Sequence, residues 1–419
     1  MSGYVEATGS TPGFNGGVGA HVNEGFSRDA AGLRRRVDAV LDAALHEQRL
    51  VGLVVLISQH GDMIYRRAAG LADREHAQPM RENAVFRLAS VSKPIVSSAA
   101  MVLVAQKRIS LDDDVTCWLR DFRPSLPDGR TPQITVRHLL SHTAGLGYRF
   151  LEADETGPYA RAGVSDGLDA SSLTLEDNVR RIASVPLAYE PGTAWGYSLS
   201  IDVLGLLIER VTGMSLQQAL EALVTRPLGM SDTAFFASDP RRLCTPYVNG
   251  DCSPRPMGDG DIVAPFDDTS GIRFAPSRAL DPNAFASGGA GMVGTADDFL
   301  RLIETLRQGS GDWLPAALID EMGSNQSGDA GPPDAPGYGF GLGFSVLRDP
   351  LLAQSPESAG TWRWGGAYGH SWFVDRARGL SVVAFTNTLY EGMSGAFVIA
   401  LRDAVYGAGN EGYGDRDHA

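Results

Sequence analysis

Near the N-terminus apolar residues recur at helical spacing, at Leu33, Val37, Val40, Leu41, Ala44 and Leu45, and predict a helix over residues 28–48. Two short apolar runs follow, 51–58 and 63–69, and His60-Gly61-Asp62 between them reads as a hairpin turn. The next apolar run, 95–104, predicts a buried helix that opens near Ser90. From there to about residue 230 the periods are mainly helical, at 134–141, 173–183, 198–212 and 215–224. The stretch 231–284 is dense in Pro, Asp and Gly, has no period and predicts no element. After the glycine-rich turn Ser287-Gly-Gly-Ala-Gly291 comes a helix over 296–307. Strand patterns return at 338–347, 367–375 and 380–387, and a helix over 394–405 closes the pattern. Strands at both ends with helices between them predict an α+β fold: one antiparallel sheet built from both ends of the chain, flanked by helices, with a mainly helical domain inserted. The expected boundaries are a flexible arm at 1–27, a discontinuous α/β domain at 28–95 and 285–410, the insert at 96–284, and a tail at 411–419. The active site of such a fold is expected where the two domains meet.

Composition narrows the function. Of 419 residues 43% are hydrophobic and 21% charged, which suits a globular chain with a large core. The net charge of −14 and the lack of any basic run longer than Arg34-Arg-Arg36 argue against nucleic acid as a partner. No stretch of about 18 apolar residues exists to span a membrane. Cys117, Cys244 and Cys252 form neither a disulfide framework nor a metal spacing, so no metal or cofactor is expected. With no charged-then-apolar leader, a reduced cytoplasmic protein is the simplest expectation.

Lysine usage singles out one place. Only Lys93 and Lys107 are lysines among 36 cationic residues, and Lys93 stands three positions after a serine in Ser90-Val-Ser-Lys93. In a helix opening at Ser90 the two side chains share a face, about 5–6 Å apart. A serine hydroxyl is a weak nucleophile that a neighbouring amine can activate. Arginine could not do this, because a guanidinium keeps its proton. A free lysine is neutral in only about 0.04% of molecules at pH 7 and a free tyrosine ionised in about 0.1%. Neither is a useful base unaided, but in a shared cleft a nearby ammonium lowers the tyrosine pKa and burial lowers that of lysine.

These residues resemble the serine β-lactamase and penicillin-binding-protein superfamily, in its class C-like branch. The resemblance rests on Ser90-Val-Ser-Lys93, on Ile134-Thr-Val-Arg-His-Leu-Leu-Ser-His142-Thr-Ala-Gly145-Leu, on Pro191-Gly-Thr-Ala-Trp195-Gly-Tyr197-Ser198 and on Trp364-Gly365-Gly366, and covers residues 30–407. Among its members the chain is most similar to family VIII carboxylesterases, through Ser287-Gly-Gly-Ala-Gly291, Trp364-Gly-Gly366 and Tyr368-Gly-His-Ser-Trp372-Phe-Val-Asp375. The resemblance implies a Ser90–Lys93–Tyr197 triad that forms an acyl-Ser90 intermediate. It also implies an oxyanion hole of the backbone N–H groups of Ser90 and Ala367, with Trp364, Gly365, Gly366 and Leu199 at the substrate. Tyr148 either lines the cleft or takes no part. Asp202 is either an ordinary acid at a helix start or the counter-charge of Lys93.

Departures from the superfamily pattern bear on the substrate. Tyr197-Ser198-Leu199 stands where Tyr-x-Asn is usual, and Leu199 cannot bond a β-lactam amide. Trp364-Gly365-Gly366 stands where Lys-Thr-Gly is usual, so the cation that meets a substrate carboxylate is missing. Losing such a charge-assisted bond costs about 1.5–3 kcal/mol. The expectation is a carboxylesterase acting on small, neutral, short-chain esters. The alternatives are an acyltransferase using the same acyl-enzyme, a weak β-lactamase or D-aminopeptidase, and a non-catalytic penicillin-binding sensor. Gly163-Val-Ser165-Asp-Gly167 matches the α/β-hydrolase nucleophile pattern, but loop sequence precedes it where that elbow needs a strand. His138 and His142 have the spacing of a zinc pair without the glutamate base between them, and read as packing and capping residues. His370 reads as a strand histidine near the cleft wall.

Overall fold

The computed structural model describes residues 30–250, 253–309 and 312–407. The expected arm (1–27), the tail (411–419) and Cys252 lie outside the described residues. At the centre is an eight-stranded sheet: β1 (Gly52–Gln59), β2 (Asp62–Asp73), β3 (Gln78–Pro79), β4 (Tyr338–Phe340), β5 (Ser345–Leu347), β6 (Trp362–Gly366), β7 (His370–Asp375) and β8 (Leu380–Thr386). Their spatial order is β4-β5-β6-β7-β8-β1-β2-β3, with antiparallel neighbours throughout. The N-terminal hairpin therefore adds to the last strand, with Val55 of β1 opposite Ala384 of β8. This is the sheet built from both ends that the strand patterns predict.

Seven helices frame the sheet and the site: α1 (Ala30–His46), α2 (Ser92–Ala105), α3 (Val136–Leu140), α4 (Leu175–Ala183), α5 (Ser200–Thr212), α6 (Ala296–Gln308) and α7 (Ala396–Tyr406). Side chains alternate faces along a strand. Leu53, Val55 and Ile57, with Val382 and Ala384 of β8, pack against Leu33, Val37 and Leu41 of α1 and Phe397 and Leu401 of α7. Val54, Leu56, Val383 and Phe385 face the other way, into a larger core with Phe299 of α6 and Ile95 and Val96 of α2. Both faces of the central strands are covered, which is why they read as unbroken apolar runs. Helix α2 is buried from Ser92 to Leu103, as expected of a helix apolar on all sides.

Three sequence expectations change. The run 338–347 is a hairpin, β4 and β5, because Gly341-Leu-Gly343 turns the chain and Gly343 has φ +106°. Residues 367–369 make a tight turn out of β6, with Gly369 N donating to Gly366 O at 2.9 Å, so β7 starts only at His370. The unassigned stretch holds two ribbons of two residues a side, Tyr247–Val248 with Arg255–Pro256 and Ile262–Val263 with Ile272–Arg273. Guanidinium groups satisfy backbone there that no ladder reaches. Arg87 donates to Pro276 O (2.9 Å) and Cys244 O (2.7 Å), and Arg278 to Asp169 O (3.2 Å) and Phe285 O. Such long-range ties leave no local period. Among the described residues no helix is long and apolar enough to cross a membrane, and Cys117 and Cys244 are free thiols.

Candidate active site

Leu88 N donates to Met292 O (2.8 Å), and the chain then makes a 3-10 turn, Ala89–Val91, that runs straight into α2. Ser90 lies in this turn, just ahead of the helix rather than inside it, and Lys93 lies in the first turn of α2. Ala89 is buried with φ +45°, a strained value for a residue with a side chain. Packing from the sheet holds it there. His370 of β7 donates from Nε2 to Arg87 O at 2.8 Å, and burial pulls its pKa down to about 4, so the imidazole is neutral at pH 7. A Cβ on Gly366 would stand 2.3 Å from Leu88 O, so the end of β6 can lie against the serine turn only because residue 366 is glycine.

The half-buried Ser90 hydroxyl meets two groups. Its Oγ is 2.6 Å from the Tyr197 hydroxyl, and Lys93 Nζ donates to it at 3.1 Å. Lys93 is fully buried and donates also to Gly289 O at 2.9 Å. Its ammonium lies over the rings of Tyr197 (4.6 Å) and Tyr148 (5.5 Å), where the ring faces favour a cation. Tyr197 comes from the loop before α5, so the triad joins the α2 turn to the start of α5.

Gly289, in the sequence no more than one glycine of a glycine-rich turn, organises the floor of the site. A Cβ there would stand 2.6 Å from Asp202 Oδ2, 3.3 Å from the Tyr148 hydroxyl and 3.6 Å from Lys93 Nζ. The missing side chain thus brings carboxylate, phenol and ammonium round one point. Burial pushes the Asp202 pKa up to about 6, against the pull of the Ser287 hydroxyl and the Lys93 charge. Asp202 is therefore mostly ionised at neutral pH and faces Lys93 across this point. Burial, and then the neighbouring Tyr197, Asp202 and Asp166, hold the Tyr148 phenol well above its ordinary value, so it stays protonated.

Aromatic rings wall the hydroxyl pair. The Tyr197 ring lies 5.0 Å from Tyr148, 5.4 Å from the half-buried Trp364 and 5.1 Å from His142, and Phe340 lies 5.1 Å from Trp364. Gly365 faces away, since a Cβ on it would stand 2.7 Å from Met393 Cγ. Leu199 is fully buried in the core and offers no surface to a cleft. Ala367 begins the turn out of β6, its carbonyl taken by Tyr390 N at 3.3 Å. His138 caps α3, its Nδ1 accepting from Thr135 N at 3.2 Å. Among the described residues no group of three or more His, Cys, Asp or Glu could hold a metal.

Comparisons with known proteins give the family and the fold. The family model described as Beta-lactamase matches residues 37–406. Esterase EstB of Burkholderia gladioli is 53% identical over 382 residues, covering 91% of this chain and 97% of that one. Among solved structures, EstCE1, described as a hydrolase with promiscuous acyltransferase activity, superposes with a TM-score of 0.89 at 48% identity, over 90% of this chain and all of its own. Simvastatin synthase (LovD) from Aspergillus terreus shares the fold, with a TM-score of 0.71 at 21% identity over 91% of this chain and 99% of that one. The chain belongs to the β-lactamase family of serine β-lactamase-fold proteins, in the branch of the family VIII esterases.

Proposed function

We propose that this protein is a serine carboxylic ester hydrolase whose nucleophile is Ser90. The observation that carries the proposal is the Ser90 Oγ held at once by the Tyr197 hydroxyl and the Lys93 amine. The family membership and the esterase name of a relative 53% identical support it. Ser90 Oγ attacks the ester carbonyl carbon, the C=O electron pair moves onto oxygen, and the serine proton passes to Tyr197, which takes it as the phenolate. The Lys93 ammonium, donor to Ser90 Oγ and lying over the Tyr197 ring, favours the phenolate before the transfer and the negative charge on Ser90 Oγ during it. The N–H groups of Ser90 and Ala367 bind the oxyanion, an arrangement supported by the close seat of Gly366 on Leu88. Collapse breaks the bond to the alcohol, which leaves with the proton held by Tyr197. Water, deprotonated by the same pair, then attacks acyl-Ser90 and releases the acid.

The partner is a small, neutral, short-chain ester. Trp364 at the position of the usual lysine supports this, as do the surrounding rings, which give apolar contact and no cation for a carboxylate. A second reading, acyl transfer to an alcohol, has specific support in the promiscuous acyltransferase activity described for EstCE1. It differs only in the acceptor that resolves acyl-Ser90. The free thiols Cys117 and Cys244 suit a cytoplasmic location.

The test is intact-mass spectrometry of the quenched protein after p-nitrophenyl butyrate and after a cephalosporin, with steady-state rates for both. The expected outcome is a butyryl adduct on Ser90 and kcat/KM at least about tenfold higher for the ester, in line with the missing charge-assisted contact. Equal turnover of the cephalosporin ring would overturn the substrate class, and an adduct on any other residue would overturn the nucleophile. Adding an alcohol acceptor separates hydrolysis from transfer by the product formed.

A further inference from the structure

We propose that His142 is a positioning residue that holds the Tyr197 hydroxyl against Ser90 by clasping the chain on both sides of that tyrosine. The inference rests on the reading of Tyr197 as proton acceptor. The carbonyl of His142 accepts from Gly196 N at 2.9 Å, one residue before Tyr197. Its Nδ1 lies 3.1 Å from Ser198 Oγ, one residue after it, and Ser198 Oγ lies 2.8 Å from Ser200 Oγ in the first turn of α5. Its ring packs on the Tyr197 ring, with centroids 5.1 Å apart.

Helix capping does not account for this residue. Helix α3 ends at Leu140, its Thr135 cap is closed by His138, and His142 stands two residues beyond with φ +56° and no exposure. A residue with a side chain keeps such a backbone only where its surroundings demand it, and His, Asn and Asp tolerate it better than others. The Tyr189 hydroxyl adds a second donor to the His142 carbonyl at 3.3 Å, so the strained peptide is tied from two directions. Trp195 and Trp364 touch the Tyr197 ring through rings alone, and Tyr148 adds a hydroxyl contact to the phenol itself. Of these four walls only His142 bonds the residues on either side of Tyr197. Burial, and then the Lys93 charge, hold the imidazole well below its ordinary pKa. It thus stays neutral and adds no second cation beside Lys93.

The experiment uses the full chain and four variants, each checked for folding by thermal melting. His142→Gly accepts the positive φ and keeps the carbonyl but removes the imidazole. His142→Asn accepts the φ and puts a polar atom where Nδ1 was. Ser198→Ala cuts the same bond from the other side with almost no change in volume, and decides the matter should the glycine variant not fold. Tyr197→Phe is the control. The expected result for His142→Gly and Ser198→Ala is a fall in kcat of about 30- to 100-fold, the scale of a misplacement near 1 Å, with KM within about twofold. His142→Asn should recover to within about fivefold of wild type, and the His142→Gly, Ser198→Ala pair should be little worse than His142→Gly alone. The inference is overturned if His142→Gly and Ser198→Ala keep kcat within threefold, or if Asn does no better than Gly. Should Tyr197→Phe itself keep its activity, it is the role of Tyr197 that fails, and that outcome is distinct.

Discussion

Ser90 and Ser165 both stand in sequences that can signal a nucleophile, and the fold treats them in opposite ways. Ser165 is buried in a loop where protein groups bond its N–H, its carbonyl and its hydroxyl. Its N donates to Asn178 Oδ1 (2.9 Å), its O accepts from Asn178 Nδ2 (2.9 Å), and its Oγ donates to Asp169 and accepts from Gly167 N (3.1 Å). A short helix, Pro158–Arg161, precedes it in place of a strand. Ser90 is half-buried, and its hydroxyl faces a phenol and an amine instead of a carboxylate. A serine whose N–H, carbonyl and hydroxyl are all bonded by the protein is a structural knot. A serine left half-buried beside a phenol and an amine is in the setting that the proposed nucleophile requires.

The largest expected effect tests that contrast directly. Ser90→Ala should lower ester hydrolysis by at least about 10⁴-fold, as removal of a serine nucleophile does elsewhere. Ser165→Ala should keep activity within about threefold while losing about 1–3 kcal/mol of stability, because Asp169 and Gly167 N lose a buried partner. Denaturant titration and initial rates on both variants give the comparison. A large activity loss in Ser165→Ala without unfolding would erase it.

Next in size is Lys93→Arg. It keeps a positive charge, but its bulkier planar head does not fit the site where the Lys93 ammonium donates to both Ser90 Oγ and Gly289 O. Activity should fall at least about 10³-fold, within the range of a single acid–base group. A variant within tenfold of wild type would show that charge alone suffices at Ser90.

Asp202→Asn sharpens the contrast through pH. In the unfolded chain an aspartate titrates near 3.8, and in the folded protein Asp202 titrates near 6, so the folded state binds its proton more tightly. Stability from this group is therefore full below about pH 4 and is lost as pH rises to 6, by up to about 3 kcal/mol. The asparagine variant should be more stable than wild type at pH 7.5, with the gain disappearing towards pH 4. Its kcat should fall, since Lys93 loses its counter-charge. Urea titrations at the two pH values, paired with rates, check both signs. A variant less stable at pH 7.5 would show that the carboxylate is a net support of the fold.

The smallest effect concerns what Ser90 reacts with. Trp364→Lys should lower kcat/KM for a neutral short-chain ester by about tenfold and raise that for a carboxylate-bearing substrate by a similar factor, the scale of one charge-assisted bond. An unchanged ratio between the two substrates would remove Trp364 from the account of specificity.

Legibility differs between the regions for a physical reason. The spacing of Ser90 and Lys93 can be read because it is local: three residues along one helical turn set their separation whatever surrounds them. The strands β1 and β8 can be read because burial on both faces leaves continuous apolar runs. Motif position puts Leu199 at the substrate, yet the start of α5 turns it into the core. The motif also groups Gly365 with Trp364 and Gly366, yet alternation along β6 points it at Met393. Gly289 and His142 do not stand out as site residues, because a missing side chain and a neutral imidazole carry no chemical signal in a string of letters. The motifs Ser287-Gly-Gly-Ala-Gly291 and Ser141-His142-Thr-Ala-Gly145 are the only hints of them along the chain.

By itself the amino-acid sequence determined the two-ended antiparallel sheet, the buried helix behind Ser90, the single usable Ser–Lys pair and the absence of a cation at Trp364. Each of these follows from local periodicity or from residue identity, and needs no partner from elsewhere in the chain. Tertiary structure alone decided that Tyr197 stands 2.6 Å from Ser90 across 107 residues, and that Asp202 meets Lys93 over a missing side chain at Gly289. It also decided that the irregular stretch 231–284 is tied down by Arg87 and Arg278. Those arrangements are contacts between segments with no fixed spacing along the chain, set by close packing of the whole core.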